Sequence, residues 1–215
     1  MIYYKRNQVE EAIVQTMGAK RDDARELKSR LQRLLVADRR LARKRRGEAK
    51  VTSRFAFYSQ GAPGSGVEVQ FTGYEGFALL TGLIMLEHGI PQLTVVSILR
   101  QLRSDLETAR RKSLKKDRRR LFDPIAVRAM MKPGMIATDN TDPVFLASVK
   151  LSGSTAQRVH AAMAVCKGHE GLSEFITRYS VAGLGSTFFE LVSLMHRLAD
   201  NLAKTRPVKR GRSTI

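Results

Sequence analysis

Apolar residues recur at spacings of three and four along most of this chain, the signature of helices that bury one face. After Asn7 and the acidic pair Glu10-Glu11, Val9, Ile13 and Met17 share a stripe that predicts a short helix ending at Gly18. A longer helix is expected over about residues 22–45. Asp22-Asp23 with Glu26 form its start signal, and Ala24, Leu27, Leu31, Leu34/Leu35, Asp38 and Leu41/Ala42 repeat at helical spacing. The period then switches. Residues 54–58 (RFAFY) and 67–71 (VEVQF) nearly alternate, and the Gly-, Pro- and Ser-rich stretch 59–66 between them predicts a hairpin with a loose tip. Tyr74–His88 is almost wholly apolar, as in a helix buried on most sides, and Gly89 can supply the left-handed residue that ends it. Beyond Pro91, the stripe Leu93, Val96, Leu99, Leu102/Arg103 and Leu106 predicts a helix that runs on into the basic stretch 110–120.

In the second half, the Asp-Pro, Pro-Gly and Asn-Thr-Asp-Pro turns of residues 121–143 mark a connecting region with one short helix at 125–131. Residues 144–151 (VFLASVKL) read as a strand, the alanine-rich 155–166 as an amphipathic helix, and 172–179 as a further short helix. The final helix is expected to start at a Thr187–Glu190 capping box and to carry Phe188, Leu191/Val192, Met195, Leu198 and Leu202 before Pro207 closes it. The expected organisation is thus a domain over 1–120, a linker over 121–143, a small α+β domain over 144–206 and a basic tail over 207–215, mainly α with small β elements.

Charge narrows the function. The 215 residues carry 38 Lys+Arg against 20 Asp+Glu, a formal charge of +18. Charge of that size raises the local concentration of polyanions, and duplex DNA offers a dense line of phosphates whose counterions can be released. It is concentrated in residues 1–120, with 26 basic and 13 acidic side chains, against 12 and 7 in the remainder. A hydrophobic content of 43% is enough for a packed core. The longest apolar stretches are far short of the ~20 residues of a membrane span, and the first residues have no secretory h-region. A cytoplasmic protein is therefore expected, nucleoid-associated if bacterial. One cysteine, Cys166, leaves no intramolecular disulfide.

Catalytic patterns are weak. The glycines at 61, 64 and 66 lack the Gly-Lys-Ser/Thr ending of a phosphate-binding loop. Cys166-x-x-His169 offers two metal ligands where a structural zinc needs about four, and Glu170 and Glu174 stand alone. The expectation is a binding protein, not an enzyme, with no cofactor and no metal.

The segment 71–103 (FTGYEGFALLTGLIMLEHGIPQLTVVSILRQLR) behind an aromatic-rich hairpin resembles the MerR-like winged-helix regulators. Phe71 and Tyr74 stand where that family's wing strand ends, Leu86-Glu-His-Gly89 where it has a Gly turn, and Val96-Ser-Ile-Leu99 on the helix that follows. The resemblance covers about residues 54–106; the family's Gly-Val turn and Arg-Tyr-Tyr motif upstream are missing, so the recognition helix is not assigned by it. It implies a winged-helix-like N-terminal domain and a transcriptional regulator that binds double-stranded DNA, with RNA polymerase or another regulator as a further partner.

The candidate DNA contacts are Arg25, Lys28, Arg33, Arg39, Arg40, Arg43, Lys44, Arg45 and Arg46 on the long helix, then Lys50, Arg54, Ser59 and Ser65 in and around the hairpin. The run Arg39–Arg46 has six basic residues in eight positions and no acid, so self-repulsion argues against a merely solvated face. The tip is either a wing contact or a tolerant turn. The second run, with Arg110, Arg111, Lys112, Lys115 and Lys116, is either a second DNA contact, a flexible arm or an RNA-binding segment; the rival function is an RNA-associated protein that stacks bases on Phe57 or Phe71. Phe188, Val192, Met195, Leu198 and Leu202 form either intradomain core or a homodimer seam.

Overall fold

The computed structural model describes residues 2–44, 55–59, 69–151, 161–180 and 183–206. Among these the chain is mainly helical with two small antiparallel sheets. No helix among the described residues is long and apolar enough to cross a membrane. The chain packs as two compact units, residues 1–103 with 197–215, and residues 104–196.

The first unit begins with strand β1 (Tyr3–Lys5) and helix α1 (Arg6–Met17). Val9, Ala12, Ile13 and Thr16 are buried at helical spacing, and Gly18 at φ 66° closes the helix. Helix α2 (Arg21–Lys44) opens with Asp22 and Asp23 in its first turn, where acids suit the positive pole, and buries the expected stripe from Leu27 to Ala42, Asp38 included. Strand β2 (Gln70–Thr72) leads into α3 (Gly73–Glu87), which is buried on nearly every side. Its start is fixed by a reciprocal cap: Glu75 N donates to Thr72 Oγ1 at 3.2 Å, and Thr72 N donates to the Glu75 carboxylate at 2.6 Å. Gly82 lets α2, α3 and α4 (Gln92–Gln101) meet closely, because a Cβ there would lie 3.1 Å from Leu99 Cδ1 and 3.3 Å from Leu34 Cδ1.

Among the described residues, the pairing expected between 54–58 and 67–71 does not appear. β2 pairs instead with β1, Tyr4 opposite Phe71, while Phe55–Ser59 is irregular. Ala56, Phe57 and Tyr58 are all buried, so the apparent alternation marks no exposed face, and side chains hold the backbone groups that a ladder would use. The expected tip at 60–66 and Arg54 lie outside the described residues.

The second unit starts with α5 (Arg103–Ser113), whose first residue closes the first unit, and continues through the one-turn α6 (Arg118–Leu121) and α7 (Pro124–Met130). The single helix expected from Pro91 to the basic stretch is therefore broken at Leu102 and again after Ser113. Asp117 and Asp123 cap α6 and α7 through side-chain bonds to Arg119 N and Ile125 N. The expected linker 121–143 falls inside this unit. Strands β3 (Val144–Leu151), β4 (Ala161–Lys167) and β5 (Gly183–Glu190) form a sheet in the order β4-β3-β5. Helix α8 (Gly168–Tyr179) packs Leu172 and Phe175 against Phe145, Ala147, Val149 and Cys166 on one face of it.

Two helix expectations here give way to strands. Residues 161–166, read as the end of an alanine-rich helix, pair along β3 with Leu146 opposite Val165 and Phe145 opposite Cys166. The ladder overrides alanine's helical preference, which is worth less than 1 kcal/mol per residue. The residues from 155 to 160 lie outside the described residues. Residues 187–190 likewise belong to β5, and the last helix, α9 (Val192–Lys204), starts later. Glu190 still caps it, accepting bonds from Val192 N at 2.8 Å and Ser193 N at 3.1 Å.

Candidate nucleic-acid interface

At about 3.6 residues per turn and 1.5 Å per residue, the outward face of α2 sets Arg25, Arg33, Arg40 and Arg43 within one broad arc, and the first and last lie roughly 27 Å apart. All four are exposed, and Lys28 and Arg39 are half-buried beside them. Some of the helix's charge is used internally: Lys28 pairs with Glu11 at 3.6 Å, and Arg30 pairs with Glu26 at 2.5 Å and also with Glu87. Among the described residues, no carboxylate pairs with Arg25, Arg33, Arg40 or Arg43. Asp22, Asp23 and Glu26 offset the N-terminal end, but from Arg33 onward the only acid on the helix is Asp38, which points inward. The negative pole of the helix welcomes cations in its last turn, yet that effect is confined to one turn and reaches neither Arg33 nor Arg40. Lys44, Arg45, Arg46, Lys50, Arg54 and Ser65 have no described side chains.

Asp38 organises the inner side of this helix. Its carboxylate, with no exposed surface, accepts from Ala56 N and Phe57 N at 3.0 Å and from Arg100 Nε and Nη2 at 3.0 and 2.7 Å. Arg100 also donates to the Asp38 carbonyl at 2.6 Å. One turn on, Arg103 Nη1 donates to the carbonyls of Phe55 and Tyr58 at 2.9 and 3.1 Å, and Nη2 to Ser59 Oγ at 2.8 Å. Its guanidinium lies over the Tyr74 ring, 5.2 Å from the centroid. Arg39 donates to Tyr58 Oη at 3.2 Å, and Tyr58 stacks on Phe71. The segment 55–59 is thereby clamped beside the basic half of α2. Burial pushes the Asp38 carboxyl above its ordinary range, against the bonds from Ala56, Arg100 and Phe57. Burial also raises the Tyr58 hydroxyl, with Arg39 opposing.

The expected contacts thus divide. Arg25, Arg33, Arg40 and Arg43 share one open face, whereas Arg39 and Ser59 are engaged in the clamp. Sequence reasoning missed Asp38, Arg100 and Arg103 as partners. The available signal was that an acid and an arginine sat on the apolar stripes of two different helices, where an unpaired charge would be costly.

The second basic run is not one helical face. Arg111 and Lys112 are exposed at the end of α5, Arg110 is half-buried, and Lys115 is exposed in the turn before α6. Lys116 pairs with Asp142, and burial lowers its ammonium pKa. Val192, Met195, Leu198 and Leu202 are at most 2% exposed within the single chain and belong to its core; Phe188, at 36%, lies on β5. Cys166 is buried under α8 with its thiol pushed up by burial. His169 bonds the Ile136 carbonyl at 2.8 Å, so the ring nitrogen there, Nε2, carries a proton. Among the described residues no group of three or more His, Cys, Asp and Glu side chains could hold a metal.

A scan against protein-family models, a search of curated proteins and a search of solved structures each find no match to this chain.

Proposed function

We propose that this protein binds double-stranded DNA through the outward face of α2 and acts in gene regulation. The observation that carries the proposal is the row Arg33, Arg40 and Arg43: exposed, free of carboxylate partners among the described residues, and on a helix locked from behind by the Asp38 clamp. A rigid helix presents cations to phosphates with little ordering cost, and it can lay side chains along a groove. In the winged-helix reading that accompanies this proposal, α3 and α4 are the buried pair behind a wing. In that reading β2 would leave the wing, although within the described residues it pairs with β1 and not with residues 55–58.

The RNA reading used the basic run 110–120, the basic tail and outward aromatic platforms; of the platforms, Phe57 and Phe71 are both fully buried. Competition for the full chain between a labelled mixed-sequence DNA duplex and a structured RNA of equal length tests the choice. The duplex is expected to compete better at equal phosphate concentration; stronger competition by RNA overturns the proposal.

A further inference from the structure

Within the second unit, a cleft of about 670 Å³ opens between the irregular segment after α7 and one side of α8. That volume suits a small organic ligand. One wall is Met130, Met135 and Ile136; the other is Leu172 and Ile176 from α8. Ile136 and Ile176 pack their inner sides on the sheet core and remain half-buried. The floor is therefore the uncovered outer layer of a hydrophobic core, and methionines make such walls adaptable. The bond from His169 Nε2 to the Ile136 carbonyl ties the two walls together at the helix start, and Gly134, at φ 82°, makes the turn that brings Met135 round.

The charged groups lining the cleft are Lys132, Lys167, Asp142 and Glu170, with His169. Asp142 is already matched by Lys116. Glu170 lies in the first turn of α8, where the helix pole favours an acid. Lys132 and Lys167 are exposed and, among the described residues, form no ion pair. An apolar trough whose lining carries two ammonium groups without an ion pair among the described residues, against one such carboxylate at a favourable helix start, favours an anion with an apolar body. We infer that this cleft is a binding site for an amphipathic organic anion, a medium-chain acyl or aryl carboxylate. The apolar body would lie along Met135, Ile136 and Ile176, and the carboxylate would sit between Lys132 and Lys167.

Calorimetric titration of decanoate into the full chain tests this, with decyltrimethylammonium as the cation of the same chain length. Saturable binding of one decanoate is expected, with much weaker binding of the cation. Lys132→Gln and Lys167→Gln, both on the surface, should each weaken decanoate up to about five-fold, as for the loss of one exposed charge contact. Met135→Gln should weaken it through the floor alone. Arg40→Glu/Arg43→Glu should leave it unchanged, which separates the cleft from general attraction to a basic protein. Absence of saturable binding, equal binding of the cation, or indifference to all three cleft variants would overturn the assignment.

Discussion

A carboxylate with no exposed surface must find every partner inside the protein, and Asp38 finds two backbone amides and one guanidinium. Asp38→Ala leaves the two amides without an acceptor and the Arg100 charge without its carboxylate, and should cost about 3–5 kcal/mol in urea unfolding, the usual penalty for breaking a buried pair. The pH dependence separates attraction from burial. Because burial holds the folded carboxyl above its unfolded value near 3.8, the stability it contributes is fully present below that value. It is lost as pH rises through the folded pKa. The urea-midpoint advantage of the native chain over Asp38→Asn should therefore shrink as pH rises above about 4. An advantage that grows with pH would show that Arg100 outweighs desolvation. Asp38 was legible from the sequence as a member of the α2 stripe, but its partners, Arg100 and the amides of Ala56 and Phe57, come from chain 18 to 62 positions away. Periodicity within one helix carries no information about them.

At the scale of elements, what could be read were features encoded locally. α1 and α2 follow their apolar stripes, and α3 follows its continuous apolar run to Gly89, at φ 76°, whereas its Thr72–Glu75 cap was not read from the sequence. Thr72→Ala removes one half of that cap and should lower stability by about 1 kcal/mol. What could not be read were elements decided by a distant strand. Ala161–Lys167 has the composition of a helix and becomes a strand because β3 offers it a ladder. Gln70–Thr72 pairs with residues 3–5 and not with its neighbour in sequence. The last helix illustrates a third kind of ambiguity, since a heptad-like stripe looks the same whether its partner is another chain or its own core. As Leu198 is fully buried in the single chain, Leu198→Ala should destabilise by about 2–5 kcal/mol. The thermal midpoint of the native chain should not depend on protein concentration, as it would if this helix were a dimer seam.

For the whole molecule, the decisive property is where uncompensated charge stands on rigid structure. A formal charge of +18 is compatible with several polyanions. The fold sharpens it to Arg33, Arg40 and Arg43 on one face, and takes Arg39, Ser59 and Lys116 out of the simplest phosphate-binding set by giving them partners within the chain. The candidate face was largely legible because helical spacing alone puts these arginines opposite the buried stripe. The clamp behind it was not. Duplex DNA binding followed by fluorescence anisotropy across about 50 to 200 mM salt tests the account most directly, comparing the native chain with Arg40→Glu/Arg43→Glu. The native chain should show a steep salt dependence and the variant weaker binding with a log–log slope shallower by about 2, since each lost phosphate contact removes about 0.9. A flat response in the native chain, or identical affinity and slope in the variant, would contradict it.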